Sequence, residues 1–575
     1  REFERIKTLS NIPKEFMSGY IQTDYYRPII NISFIFDAWI SGQSAFSYHL
    51  TNIIIHIAYC LLLYYLFQKL GFKKIFAVLA GLIYAVHPIF NNAVAWIVGR
   101  NDTIFSLFCI ISFIFLLNYF EKKKIVYFIL HLILFLLATL TKETSLAFPI
   151  VILSYILLIR KTKLFDKSNI YLAIGWIFVG AIWITLRTVA DLGESVNRYG
   201  LDVILMNIRV FPEIIAKFFI PINLSVLPTY NALNTFLGVL LIVLLSFVIY
   251  KVKQKNIKFI MWGVSWFFLM LLPGVFVTVI NSNDWNEYLE CRSYLPLVGI
   301  LIILSNLTNY KKLVEKRKTF NLVTLIVFVG FSLLSLSNIQ NYKNALTFYE
   351  NAIKNDPNKA LFHEILGNVY FDLQKIDLAE REYKHMVSSN PNYAKYNNKL
   401  AHFYFKTKQY RKSIEFLEKS IQMDSNETKF YNNLSIAFYM MKDYDKAINI
   451  TKKGIEKWKD DLDLLIDLIN IYLTIEKLDS AEIYTKKVIS KSYELQGLSE
   501  LYSEWGRKYI QEEKAQLAIN AWKKSIEIHP KNYQPYNFLI YYYIHVKLNL
   551  DSANHYVKRL KENGGEVDPK INQNP

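Results

Sequence analysis

The sequence predicts an all-α protein in two parts, a polytopic membrane helix bundle followed by a helical solenoid. Composition is the first ground: of 575 residues 53% are apolar and 16% aromatic, with 40 Phe and 40 Tyr, and the mean hydropathy is positive at +0.19. Distribution is the second, because apolar runs approaching the about 20 residues that cross a bilayer recur up to about Ile339 and then stop. Spacing is the third: Pro357 and Pro391 stand 34 residues apart in the polar half, the period of a paired-helix repeat. A net charge of +18, from 66 Lys and Arg against 48 Asp and Glu, would suit nucleic acid if it covered a soluble surface. Much of it sits in short segments between apolar runs, so it reports topology, and no nucleic-acid partner is expected. Cys60, Cys109 and Cys291 all fall in the apolar part, which excludes a disulfide framework and a Cys-based zinc site.

Residues 1–47 read as an outer-face loop with an interfacial helix at 28–42, too short to cross. Ten spans follow within 48–338, at 48–68, 75–91, 103–120, 125–141, 144–159, 169–187, 232–250, 257–278, 294–308 and 319–338. The segment 201–227 is interrupted by Pro212 and Pro221 and reads as interfacial or re-entrant helix. Lys69/Lys73/Lys74, Lys122/Lys123/Lys124, Arg160/Lys161/Lys163/Lys167, Lys251/Lys253/Lys255/Lys258 and Lys311/Lys312/Lys316/Arg317/Lys318 occupy alternate loops, which are therefore cytoplasmic. A crossing within 201–227 would put the Lys251 cluster on the wrong side. The remaining loops, and both ends of the ten-span bundle, face the periplasm, the cell exterior or the ER lumen. Abundant Ile, Lys, Asn and Tyr points to an AT-rich coding sequence and to a bacterial inner membrane ahead of the ER. The chain opens at Arg1 without initiator Met or signal peptide, as a piece of a longer protein with at least one upstream span would.

From 339 to 565 the pattern is that of the tetratricopeptide repeat: Leu366-Gly367, Tyr370, Ala379 and Tyr383 fall between the two prolines. The register continues through Leu400-Ala401, Tyr404, Ser413 and Ser420, then Leu434-Ser435, Phe438, Ala447 and Gly454, then Leu468, Tyr472 and Ala481. A three-residue insertion precedes Trp505-Gly506, Tyr509, Ala518, Trp522 and Pro530, and a degenerate repeat carries Leu539, Tyr543 and Ala553. Small residues let paired helices approach, and aromatics fill the space between pairs. About six repeats, led by a half-repeat with Ala345, Tyr349 and Ala352, stack as a right-handed solenoid before a tail at 566–575. The half-repeat implies that the array starts directly from the last span, over the outer mouth of the bundle. Such arrays bind proteins and do not themselves catalyse.

Charged and polar residues at the outer ends of spans cost free energy to place there, so each needs a reason. His87-Pro88 closes the second span, and Gly99-Arg100-Asn101-Asp102 opens the third; Gly99 permits a tight turn, and Arg100 and Asp102 sit where a helix N-terminus favours an anion. They can equally neutralise each other. Lys142-Glu143 occupies a tight turn as a binding pair or a solvated one, and Glu287, Glu290 and Arg292 precede the ninth span as phosphate or metal contacts or as mutual partners. His49, Asn52 and His56 form a stripe on one helical face, read as hydrogen-bonding to neighbouring helices. No glycine-rich phosphate loop, His-rich zinc spacing or Ser/His/Asp signature is present. Carboxylates and basic residues are the tools for activating a hydroxyl and holding a phosphate leaving group.

Tyr26-Arg27-Pro28, Tyr48-His49-Leu50-Thr51-Asn52, His87-Pro88, Val94-Ala95-Trp96-Ile97-Val98-Gly99-Arg100-Asn101-Asp102, Thr141-Lys142-Glu143-Thr144 and Arg292-Ser293-Tyr294-Leu295-Pro296 resemble the transmembrane and tetratricopeptide repeat-containing (TMTC) family and its bacterial relatives. The resemblance implies a C-type glycosyltransferase fold and transfer of a sugar, mannose in eukaryotic members, from a polyprenyl-phosphate donor to a protein Ser/Thr acceptor. On that reading Arg100, Lys142 and Arg292 contact the donor phosphate, and Asp102, Glu143, Glu290 and His87 support them or bind a divalent metal if one is used. The family's catalytic carboxylate lies in an acidic motif of the first outer loop, which the resemblance puts ahead of Arg1; Asp24 does not match that motif. The rival expectation is a membrane-anchored scaffold that assembles protein complexes without catalysis.

Overall fold

The structure, a computed structural model, describes residues 7–19, 25–162, 165–190, 197–199, 201–252, 255–279, 290–307, 317–459, 461–490 and 495–572. It is helical throughout apart from one two-stranded ribbon, Asn197–Tyr199 antiparallel to Val277–Val279 with Arg198 opposite Thr278. The chain divides into two compact units, Arg1–Lys375 and Ile376–Pro575.

In the first unit α1 (Pro28–Ser41) is followed by α2 (Ala45–Lys69), α3 (Lys74–Val86), α4 (Arg100–Lys122), α5 (Ile125–Thr141), α6 (Phe148–Tyr155) and α7 (Lys167–Val189). Then come α8 (Leu201–Asn207), α9 (Val210–Phe219), α10 (Ala232–Lys251), α11 (Ile257–Leu271), α12 (Leu297–Leu307) and α13 (Arg317–Ile339). Among the described residues seven helical stretches are long and apolar enough to cross a membrane, eight when one bent pair is joined, so this is a multi-pass membrane protein. Each of the ten apolar runs holds a helix, but α5 and α12, at 17 and 11 residues, fall short of the length that crosses a membrane. The segment 201–227 forms two short helices and an irregular tail, with no helix long enough to cross.

The second span departs from expectation. It is not one helix over 75–91: α3 ends at Val86, and the chain resumes at Pro88–Val94 after a 52° bend. His87 is extended, at φ −70° and ψ 123°, because the residue before a proline is pushed out of the helical region. Elsewhere helix ends follow side-chain chemistry. The Ser44 hydroxyl caps α2, Asn231 Oδ1 accepts from the amides of Leu233 and Asn234 at the start of α10, and Lys123 ends α4 in the left-handed region at φ 56°.

The core lies between α4, α6, α11 and α12, where Phe113, Phe148, Trp262 and Trp266 pack edge to face. Helices α11 and α12 cross at Gly263 and Gly299: a Cβ on Gly263 would come within 2.6 Å of the Gly299 carbonyl oxygen, so only glycines allow this approach. Some polar side chains inside the bundle pair across helices. Trp176 Nε1 donates to His131 Nε2 at 2.9 Å, and His131 Nδ1 lies 2.7 Å from the Ser112 hydroxyl, joining α4, α5 and α7.

A 3₁₀ turn at Gln340–Tyr342 leads from α13 straight into α14 (Ala345–Asn355) and α15 (Ala360–Asp372). These two helices belong to the first unit because they pack on the bundle end: Ala352 and Phe362 bury against Val226. Asn92 is the hub of the junction, its Nδ2 donating to Val226 O (2.9 Å) and Tyr342 OH (3.2 Å) while its Oδ1 accepts from Cys291 N at 3.1 Å.

The second unit holds α16 (Ile376–Ser389), α17 (Ala394–Lys406), α18 (Tyr410–Met423), α19 (Thr428–Met440), α20 (Tyr444–Lys457), α21 (Leu462–Thr474), α22 (Leu478–Ile489), α23 (Leu495–Gln511), α24 (Ala515–Ile528), α25 (Gln534–His545) and α26 (Leu550–Glu562). Antiparallel pairs stack through the small and aromatic residues that the pattern specified; Gly506, for example, lies directly against the indole of Trp522. The tail beyond 565 packs back in part, with Ile571 buried and its carbonyl accepting from His545 Nε2 at 2.9 Å.

Candidate functional site

The end of the bundle from which the repeats emerge carries a layer of buried ion pairs, and each joins segments remote in sequence. Arg100, at the N-terminus of α4, is fully buried. Its Nη1 lies 2.5 Å from Asp37 Oδ2, Nε donates to Asn52 Oδ1 (2.6 Å), Nη2 to Tyr48 O (2.7 Å), and the guanidinium stacks over Phe34. Asp37 also accepts from the Thr51 hydroxyl at 2.6 Å. Lys142 Nζ is 2.6 Å from Asp102 Oδ1, Arg27 forms a two-point pair with Glu143, and Lys217 Nζ is 2.7 Å from Glu290 Oε1 with both groups fully buried. Burial holds the Glu290 carboxyl above its ordinary range, and Lys217 offsets part of that rise. Glu213 accepts from Asn231 N and from the Thr235 hydroxyl.

These pairings correct several expectations. Arg100 and Asp102 do not neutralise each other, nor do Lys142 and Glu143, nor Glu290 and Arg292; each takes a partner from another element. All three nitrogens of Arg100 are spent on protein acceptors. Lys142 is committed to Asp102 in the same way. Both ring nitrogens of His87 have backbone partners: Nε2 donates to Phe218 O (2.8 Å) and Nδ1 accepts from Ile89 N. Among the described residues no three His, Cys, Asp or Glu side chains converge, so Asp102, Glu143 and Glu290 do not share a metal position. Gly99 has an ordinary φ of −60°; its value is close approach, since a Cβ there would lie 2.9 Å from the Ala93 backbone. Asp24 and Glu287 lie outside the described residues.

The stripe on α2 is built as expected in two of its three members. Asn52 Nδ2 donates to Val94 O (3.1 Å) and Trp96 O (3.4 Å), and His56 Nδ1 lies 2.6 Å from Tyr294 OH. His49 is half-buried and forms no hydrogen bond among the described residues.

Of the three cations expected at a phosphate, Arg292 differs from the other two. It is half-buried and gives one hydrogen bond, to Gly274 O at 3.3 Å, with no carboxylate within ion-pair distance among the described residues. It lies beside Tyr230, whose phenol is pushed up by burial and by Glu213 and pulled down by Arg292 and Arg209. Arg292 and Arg209 thus both act on the half-buried Tyr230 phenol. Asp37, Lys217 and Glu213 escaped the sequence reading. The available signal was a lone acid in the apolar helix 28–41 and a Lys-Glu combination in the interrupted segment 201–227.

Comparison with known proteins gives the class first. The family described as dolichyl-phosphate-mannose-protein mannosyltransferase matches residues 32–184, and a tetratricopeptide repeat matches residues 394–427. The chain thus carries a stretch similar to that family together with a tetratricopeptide repeat, and it resembles the TMTC proteins. Individual relatives are the protein O-mannosyl-transferases TMTC1 of Mus musculus, 37% identical over 90 residues, and TMTC2 of Mus musculus, 40% over 87 residues. TMTC3 of Homo sapiens is 34% identical over 127 residues. These alignments cover 15 to 21% of this chain and only 10 to 13% of the relatives' own length. Among solved structures, a repeat protein from Cytophaga hutchinsonii is 18% identical over 40% of this chain and 93% of its own, at a TM-score of 0.31. YrrB, described as a repeat protein with an unusual peptide-binding site, is 15% identical over 32% of this chain and 95% of its own, at a TM-score of 0.26.

Proposed function

We propose that the protein is a membrane glycosyltransferase that moves a sugar from a polyprenyl-phosphate donor to a protein Ser/Thr hydroxyl on the outer, periplasmic face, with the repeats selecting the acceptor. One observation carries this reading: the mannosyltransferase family matches the stretch that holds Asp37, Arg100, Asp102, Lys142 and Glu143. The reaction is an in-line displacement at the anomeric carbon. A carboxylate takes the acceptor proton as the C–O bond forms, and a cation stabilises the departing lipid phosphate. Arg292, with Arg209 and the Tyr230 hydroxyl beside it, is assigned to the phosphate. The Arg100–Asp37 and Lys142–Asp102 pairs are assigned to holding the outer loops in register. Each described carboxylate of the layer has a partner, and none of them is assigned as the base.

The scaffold reading has one observation in its favour, namely that the layer's cations, Arg292 apart, are neutralised internally. Transfer of radiolabelled mannose from polyprenyl-phosphate mannose, in membranes bearing the protein with and without Arg292→Ala, separates the two. Transfer that falls at least about tenfold in the variant at equal expression supports the enzyme. Absence of transfer from any polyprenyl-phosphate sugar, with partner proteins still captured by the repeats, makes the scaffold the better account.

A further inference from the structure

A cavity of about 510 Å³ lies where α3, α10, α12 and α13 come together, and every residue lining it is apolar. Water is a poor filling, because no side chain of the wall offers it a hydrogen bond. Ile75, Leu244 and Val248 line the cavity and are exposed, so it opens sideways into the bilayer. Protein packing is thin on this side: only 11% and 6% of the most apolar 18-residue stretches of the α10 and α13 spans are buried. A hydrocarbon chain suits the space. Its reach is that of one leaflet, since along α3 the wall runs from Ile75 to Ile83, about 12 Å at 1.5 Å per residue, close to half of the about 30 Å hydrocarbon core. An acyl chain fits that depth, and a polyprenyl chain is much too long.

One end of the cavity is basic. Ile75 at the start of α3, Val248 near the end of α10, Leu307 at the end of α12 and Phe320 near the start of α13 bring four helix ends together there. Lys73 and Lys74 open α3, Lys251 closes α10 and Lys318 lies in the first turn of α13, all four exposed. Lys74, Lys251 and Lys318 form no ion pair among the described residues, and Glu121 at the end of α4 is already taken by Lys69. Lysines flanking an apolar cleft reach the headgroup level on their flexible stems and favour phosphate there.

We propose that this cavity binds an anionic phospholipid, with one acyl chain lodged between α3, α10 and α12 and the phosphate among Lys74, Lys251 and Lys318. The lipid supplies packing that the helices leave undone and ties α10 and α13 to the rest of the bundle. The site is independent of catalysis and belongs to an enzyme or a scaffold alike. The rival occupants are a neutral phospholipid and a polyprenyl phosphate.

The test reconstitutes the full chain in phosphatidylcholine nanodiscs with a trace of phosphatidylglycerol that carries a photoreactive group in its acyl chain, and maps the label after irradiation. The expected label falls on peptides from 75–83, 241–248 and 301–307. Unlabelled phosphatidylglycerol displaces it, and equal amounts of undecaprenyl phosphate do not. Leu244→Trp, which fills the cavity from an exposed wall position, lowers the label about tenfold, a change of about 1.4 kcal/mol. Lys74→Glu combined with Lys251→Glu lowers it as far, and since both side chains are exposed the packed helices are left intact. Val243→Trp, exposed on the same helix and outside the cavity, leaves it unchanged. Equal labelling by a phosphatidylcholine probe, displacement by undecaprenyl phosphate as strong as by phosphatidylglycerol, or labelling that either the Leu244 variant or the lysine double variant leaves unmoved overturns the proposal.

Discussion

At the residue scale, the charges that stand out in the sequence divide into those that hold the protein together and those left to act. Removing one partner of a buried pair strands the other in low dielectric, which costs about 3–5 kcal/mol. Asp102→Asn should therefore lower the melting temperature of the detergent-solubilised protein markedly, and Asp102→Asn with Lys142→Met should recover most of the loss. Arg292→Ala strands nothing, since its single hydrogen bond is to a carbonyl; it should leave the melt within about 0.5 kcal/mol of wild type while abolishing transfer. A melt as depressed as that of Asp102→Asn would count against the role given to Arg292. Arg100, Asp102, Lys142, Glu143 and Glu290 were legible in the sequence, but Asp37, Lys217 and Glu213 were not, and neither was the pairing. Lys142 and Asp102 are 40 positions apart and Arg27 and Glu143 are 116, whereas local spacing suggests only neighbours as partners.

At the element scale, the repeats were the most legible part, because each helix pair must repeat the same small and aromatic contacts to stack. The turn inside each pair shows it again. Gln374, Lys408, Lys442, Glu476, Glu513 and Leu548 all adopt positive φ, at intervals of 34, 34, 34, 37 and 35 residues, and the interval of 37 is the predicted three-residue insertion. None of these six is glycine, although the left-handed conformation costs other residues roughly 1–2 kcal/mol. Lys442→Gly should stabilise the repeats by about 0.5–1 kcal/mol, read as a higher denaturation midpoint. Asp467 supplies a pH dependence. Burial, then Asp463 and Asp461, raise its carboxyl to about 7, while Asn432 donates to it at 2.7 Å. The unfolded carboxyl titrates near about 4, so the unfolded chain loses this proton first and stability falls as pH rises from about 4 to about 7. Asp467→Asn should flatten that slope and stabilise the repeats at pH 8, measured by limited proteolysis of the whole chain across pH. In the membrane half, the break at His87-Pro88 was signalled by the proline, whereas the brevity of α12 was not, since apolar content alone does not say where a helix begins.

At the scale of the whole molecule, the passage from bundle to repeats is a packed joint. Asn92 serves three backbone and side-chain partners at once, Asn351 Oδ1 accepts from Val226 N at 3.1 Å, and Trp96 meets Phe348. Asn92→Ala leaves a buried amide and a buried carbonyl without partners, at a cost of about 1–3 kcal/mol, and should expose the chain around Lys343 and Lys354 to trypsin. Unchanged cleavage there would mean that the apolar contacts of Val226, Ala352 and Phe362 hold the joint alone. The helix below this joint is another matter, because only 6% of the most apolar 18-residue stretch of the span Lys318–Tyr342 is buried by protein. Its 25 residues measure about 37 Å at 1.5 Å each, against a hydrocarbon thickness of about 30 Å. A hydrophobic mismatch of that size is relieved by tilt, so a thinner membrane lays this strut over further and a thicker one stands it up. Since Tyr342 caps the strut and touches Asn92, membrane thickness becomes a mechanical input to the joint from which the repeats hang.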